Sequence, residues 1–242
     1  MAQFDRWRDP GFRLRLARGL VRAKVMNQCA LVERSARRRP DEQLVGIVHR
    51  LRRVEHVLSA SESIPALMGH EGMASRHYFE AFGRILVADV EFGGRSRRPP
   101  LDPPNALLSL AYTMIGTELE GVIQTSGLEP ALGFLHGFRY GRKSLAQDLL
   151  EIFRQPLVDR WVLTLFNRRR LRAHHFERRD DGGVYLTKEA FRTFLHLYDE
   201  HLGNPAEEGG WRGRMLRAVR MLADGLLDNA PDIDWLGCGE NA

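Results

Sequence analysis

A chain of 242 residues, 43% hydrophobic and 28% charged, has enough apolar surface for one sizeable core or two small ones without disulfide or metal staples, and is far from the composition of a disordered chain. Its 36 basic and 31 acidic residues leave a net charge of +5, and all but Lys24, Lys143 and Lys188 of the basic side chains are arginine; this permits a nucleic-acid partner, because guanidinium grips phosphate bidentately, without demanding one. Cys29 and Cys238 are too few and too far apart for a disulfide framework or a zinc site, and no continuous apolar stretch opens the chain, so the expectation is a cytoplasmic protein with neither signal peptide nor membrane span.

From Asp9-Pro10 the apolar positions Phe12, Leu14, Leu16, Leu20, Val21 and Val25 recur near helical spacing and predict a helix to about Arg38, ended by Arg39-Pro40-Asp41. Leu44, Ile47, Val48, Leu51, Val54 and Leu58 predict a second helix. Ser61 to Pro65 signals the start of a third, running to about Asp89. Glu91 to Pro104, with its paired glycines and prolines, must be a loop. Asn105 to Ser126 reads as a long apolar helix capped by Asn105, and Leu128 to Tyr140 as a short helix and turn. Ser144 to Gln147 has the pattern of a capping box, predicting a helix to about Gln155 that Pro156 kinks or interrupts before helix resumes over Leu157 to Arg170. A small hairpin near 174–187 and helices over Lys188 to Leu202 and Trp211 to Leu227 complete an all-α domain spanning 1–228, with 229–242 a frayed tail.

Asp148 and Glu151, three apart in the capped helix, project from one face beside the apolar stripe of Leu145, Leu149 and Ile152 or Phe153. His136 precedes that helix by a Gly-containing turn, near enough to swing toward the same face. Among 31 acidic residues such a pair is more often a solvated helix face than a metal site, so the residues alone leave both readings open. His174 and His175 read as surface residues of a basic loop.

Four stretches go further: Gly69-His70-Glu71-Gly72-Met73-Ala74-Ser75-Arg76-His77-Tyr78-Phe79, Arg95 through Ser109, Gly127-Leu128-Glu129-Pro130 through His136-Gly137, and Ser144-Leu145-Ala146-Gln147-Asp148-Leu149-Leu150-Glu151-Ile152-Phe153-Arg154. In letters, order and spacing they resemble successive motifs of the CRISPR-associated Cas1 family, over about Trp7 to Leu202. The resemblance implies a helical catalytic domain that inserts captured double-stranded DNA, the spacer precursor, into a CRISPR repeat, working with a small Cas2 partner and as a homo-oligomer. It further implies Mg²⁺ or Mn²⁺ held by Glu71, His136 and Glu151, with Asp148 orienting His136 or a metal-bound water. Two carboxylates and an imidazole suit either ion.

Arg76, Arg95, Arg97, Arg98, Arg139, Arg142 and Lys143 surround that set and are expected to contact DNA phosphates, since positioning requires charge near the reacting group. The clusters Arg37 to Arg39, Arg52-Arg53 and Arg168 to Arg172 read as solvated helix surface, some of it DNA track. Tyr78 and Tyr112 are expected to pack, and Asp102 to pair with Arg154. The family usually carries a β-rich domain ahead of the helical one; the resemblance here begins at the helical part, so the expectation is a naturally short form, part of a fusion or split protein, or an experimental fragment. The competing readings are a non-catalytic helical DNA-binding or assembly protein and a transposon-encoded relative of the integrase.

Overall fold

Polar caps, several with a proline behind them, decide where the long helices begin. Helix α1 (Ala2–Arg8) runs almost directly into α2 (Pro10–Arg38), where the Asp9 carboxylate accepts from the Gly11 and Phe12 amides and Pro10 sits in the first turn, where a missing N–H leaves no bond unmade. Ser63 and Pro65 open α4 (Ile64–Ile85) in the same way, Asp102 with Pro103 and Pro104 opens α5 (Pro103–Thr125), and Asp41 alone caps α3 (Glu42–Leu58). The computed structural model describes residues 1–203 and 209–239. Helix α6 (Ser144–Phe153) widens into a π-helical turn, Arg154–Asp159, and tightens again as α7 (Arg160–Asn167). The hairpin of β1 (Phe176–Arg178) and β2 (Val184–Leu186) pairs Phe176 with Leu186; α8 (Lys188–Leu202), α9 (Trp211–Leu227) and α10 (Leu236–Gly239) follow.

The fold is therefore all-α with one small hairpin, as the sequence predicts. Helix α2 is its axis. It packs on α3, α4 and α6, and α5 lies across α6 and α9, so that Leu16, Val21, Val25, Ile47, Leu51, Phe82, Leu107, Leu149 and Phe153 form one continuous core. By length and apolar composition α5 could cross a membrane, but half of it is buried within the fold.

Several local expectations fail for identifiable reasons. The cap of α5 is Asp102, not Asn105: the Asp102 carboxylate accepts from the Asn105 amide at 2.8 Å, and Asn105 itself, fully buried, ties the preceding loop together. Asp102 thus pairs with Asn105, and Arg154 with Glu151, so the expected Asp102–Arg154 pair does not form. No capping box opens α6. The Ser144 hydroxyl instead donates to the Gly137 carbonyl at 2.9 Å and pins the loop that precedes the helix. Leu128 to Tyr140 is a succession of turns without a helix, α4 ends at Ile85, and α7 ends at Asn167 because Arg169 takes a positive φ of 56°. The expected frayed tail is anchored at Trp235 and Cys238, each 2% exposed, and its last three residues lie outside the described residues.

Candidate active site

Among the seven arginines of α2 stands a single lysine. Lys24 lies one helical turn from Leu20, Val21, Asn27 and Gln28, all buried, so its side chain points inward. Its ammonium is hydrogen-bonded to Glu71 Oε1 of α4 and lies 2.6 Å from Glu151 Oε2 of α6. Ser75, one turn beyond Glu71, donates to the same Glu71 oxygen at 2.9 Å, and Arg154 donates Nε to Glu151 Oε2 at 3.0 Å. Glu151 is buried. Burial pushes its carboxyl up, but Arg154 and Lys24, with a smaller pull from His136, outweigh burial and hold it down at about 2.

His136 is delivered by the turns ahead of α6, and Asp148 holds them. The fully buried Asp148 carboxylate accepts from the amides of Phe134 at 2.5 Å, Leu135 at 2.9 Å and His136 at 2.9 Å, and lies 2.8 Å from the His136 Nδ1. All four places on the two oxygens are thus taken by donors. Gly133 lets the turn close: a Cβ there would stand 2.5 Å from the His136 carbonyl oxygen and 2.7 Å from the Ser144 backbone carbon. From the other side α1 and the start of α2 clamp the same loop. Gln3 Nε2 donates to the Glu129 carbonyl at 3.0 Å, Trp7 Nε1 to Gly133 at 3.1 Å and Arg13 Nε to Phe134 at 2.8 Å. Helix α1 went unpredicted because its apolar residues, Phe4 and Trp7, are only two in a short charged segment.

A second layer lies behind Glu151. Pro156 has no N–H to return to the Ile152 carbonyl, and Asn27 Nδ2 fills the vacancy from α2 at 2.9 Å. The π-helical turn that follows carries Asp159, fully buried, which accepts from Tyr78 at 2.7 Å and from Tyr112. Burial raises this carboxyl to about 6 against the pull of the two phenols and Arg154. Arg154 spans the layers, its guanidinium 4.4 Å from the Tyr112 ring centre while its Nε holds Glu151. Tyr78 and Tyr112 therefore do more than pack. Sequence reasoning passed over Lys24 and Asp159; for Lys24 the signal was present, a lone lysine in register with an apolar stripe.

Glu71 and Glu151 thus meet at one ammonium, with the His136 ring near enough to act electrostatically on Glu151 and oriented by Asp148. Among the described residues no three His, Cys, Asp or Glu side chains converge on a single point. Of the seven basic residues expected to face DNA, Arg76, Arg97, Arg98 and Arg139 are exposed, Arg142 is partly so, and Lys143 is exposed and paired with Glu120 at 2.9 Å. Arg95 is engaged inside: it donates to Asn105 Oδ1 at 2.9 Å and Ser109 Oγ at 3.1 Å and lies over Tyr112, so it braces the loop rather than facing outward. His174 is exposed, and His175 Nδ1 accepts from the Arg172 amide.

Residues 1–200 match the family model described as CRISPR associated protein Cas1. The chain is 42% identical over 196 residues to CRISPR-associated endonuclease Cas1 2 of Rhodospirillum rubrum, covering 76% of this chain and 57% of the relative. It is 37% identical over 239 residues to CRISPR-associated endonuclease Cas1 3 of Thermus thermophilus, covering 96% and 69%. Among solved structures, a Cas6-RT-Cas1–Cas2 complex aligns with a TM-score of 0.85 at 25% identity over 95% of this chain and 25% of that chain. A casposase bound to integration product shares the fold, with a TM-score of 0.85 at 22% identity over all of this chain and 72% of that one.

Proposed function

The chain belongs to the CRISPR-associated Cas1 family, and from that premise we propose that it is the helical catalytic part of a DNA integrase and endonuclease that joins the 3′-OH of a captured duplex to a CRISPR repeat. The observation that carries this reading is the meeting of Glu71 and Glu151, from helices far apart in sequence, around one cation. The donor set fits Mg²⁺ or Mn²⁺: an ammonium already stands between two carboxylates, and hard oxygen donors beside an imidazole are what such ions take. Glu71, His136 and Glu151 would hold the ion. When bound, it would polarise a phosphodiester oxygen and acidify the attacking hydroxyl.

The chain's own residues do the rest. Asp148, accepting from His136 Nδ1, fixes the tautomer and leaves Nε2 with its lone pair as the ligating atom. Arg154, with Lys24, keeps Glu151 ionised, and Tyr112 beneath the Arg154 guanidinium helps hold it still where a flexible carboxylate would lose alignment. The exposed Arg76, Arg97, Arg98, Arg139 and Lys143, with the partly exposed Arg142, would grip the phosphodiester backbone on either side of the site. A Cas2 partner, a homo-oligomeric assembly and a cytoplasmic location belong to the same reading; a solved relative is itself a Cas1–Cas2 complex.

The test supplies the protein, with and without a Cas2 partner, with short duplexes bearing free 3′-OH ends and a target plasmid. Joined products should require Mn²⁺ or Mg²⁺ and disappear in Glu71→Ala, His136→Ala and Glu151→Ala. Joining that survives all three substitutions refutes the site.

A further inference from the structure

Resting on the metal-site reading above, we propose that Lys24 is a built-in cation that holds Glu71 and Glu151 together in the metal-free protein and is exchanged for the divalent ion, so that it sets how tightly that ion binds. The geometry supports the exchange. Lys24 Nζ lies between one oxygen of each carboxylate, where a shared cation would sit, and it reaches both from a helix, α2, that contributes no metal-ligating side chain to the cluster. Its surroundings explain why an ammonium is needed there. Glu151 is 4% exposed and Lys24 6%, and an unpaired carboxylate so deeply buried would be strongly unfavourable. Without Lys24, the side chains hydrogen-bonded to the two glutamates among the described residues would be Arg154 and Ser75, one each.

Two features make the lysine displaceable while Arg154 stays fixed. Glu71 keeps 23% of its side chain exposed, so the pair is open to solvent on the α4 side. Arg154 is held on its other face by the Tyr112 ring, whereas among the described residues the Lys24 ammonium meets the two glutamates alone and hangs on a flexible four-carbon stem. A guanidinium in place of Lys24 would be bulkier, planar and harder to withdraw. That is why the single lysine of an arginine-rich helix falls here.

The consequence is measurable without any turnover. In wild type an arriving Mn²⁺ must displace an ammonium that both carboxylates already bind; in Lys24→Met it meets a Glu71 carboxylate without a cation and a Glu151 carboxylate that keeps only Arg154. Mn²⁺ titrated into the full chain, followed by calorimetry and by the loss of the free-ion paramagnetic resonance signal, should show Lys24→Met binding about tenfold or more tighter than wild type. Lys24→Met should also melt lower than wild type without metal and gain more from saturating Mn²⁺. Lys24→Gln, which keeps a hydrogen-bond donor but no charge, provides the same comparison if the methionine variant does not fold, and Lys24→Arg should bind Mn²⁺ no more tightly than wild type.

The double variant Glu71→Gln with Glu151→Gln separates two kinds of failure. If wild type binds Mn²⁺ and the double variant does not, while Lys24→Met or Lys24→Gln binds it equally or more weakly than wild type, the lysine proposal is overturned and the metal site stands. If Mn²⁺ binding is indifferent to both glutamates, the metal site falls and takes the proposal with it.

Discussion

Replacing Asp148 by asparagine exchanges one carboxylate oxygen for an NH₂ group without changing side-chain volume. In the folded chain Oδ2 accepts from Phe134 and Leu135, and Oδ1 serves the amide and ring nitrogen of His136. Turned one way, the new NH₂ meets the Phe134 and Leu135 amides; turned the other, it meets the His136 amide, while the imidazole can switch tautomer so that Nδ1 accepts from it. The second arrangement strands one donor, and a hydrogen bond to a charged group contributes about 1.5–3 kcal/mol, so the loss comes to about 2 kcal/mol. For a domain of this size that is a fall in Tm of about 6 °C. The same change frees the His136 ring from its fixed tautomer, and if His136 binds metal as proposed, losing the group that orients it lowers metal affinity by about 10- to 100-fold. Urea titration followed by circular dichroism should show a lower midpoint with an unchanged slope, and Mn²⁺ titration the weakened binding. A variant with the wild-type urea midpoint would show that the turns before α6 stand without Asp148, and the reasoning about His136 would fall.

Asp159 predicts a pH dependence with a definite sign. Its folded pKa of about 6 lies above the ordinary 3.8, so the unfolded chain releases this proton first and stability falls by about 3 kcal/mol as pH rises from about 4 to about 6. Glu151, held at about 2 against an ordinary 4.5, acts oppositely, adding stability above pH 4.5 that is lost as pH falls toward 2. Denaturant titrations across pH should therefore lose the upper slope in Asp159→Asn and keep the lower one; an unchanged upper slope refutes the assignment. Gly133→Ala should destabilise by about 3 kcal/mol or more, because the new methyl meets backbone on two sides; wild-type melting would contradict the closeness of the turn. Arg97→Ala and Arg139→Ala, both exposed, should each reduce the slope of log binding constant against log salt for duplex DNA by about 1. Arg95→Ala should instead lower Tm, since that side chain braces Asn105 and Ser109.

Most of the helices were legible because their apolar positions repeat at three and four and their starts carry Asp, Ser or Pro. α8 and α9 begin and end where periodicity puts them. The errors share a cause. Ser144, Asn105 and Asp102 each have a side chain able to cap, and sequence offers no way to know that Ser144 would turn to Gly137 or that Asp102 would reach the Asn105 amide first. The packed segment from Trp235 to Cys238 follows a run of Pro and Asp and is too short to show a period. At the site, Asp148, Glu151 and the nearby His136 could be suspected from their spacing, and the family motif added Glu71. What linear pattern could not show was that Lys24 meets Glu151 directly while Asp159 is linked to it through Tyr112 and Arg154, because their approach is set by how α2 and the π-helical turn pack on α6.

The bond from Asn27 to the Ile152 carbonyl carries a further implication, for how the family can vary. Proline at 156 and an amide donor at 27 form one heritable unit, split across more than a hundred residues of chain. A lineage that loses Asn27 while keeping Pro156 inherits a carbonyl with its donor gone directly behind Glu151, whereas one that loses Pro156 first regains a backbone donor and leaves position 27 free to drift. The order of the two substitutions is therefore constrained, and descendants should be found far more often without the proline alone than without the asparagine alone.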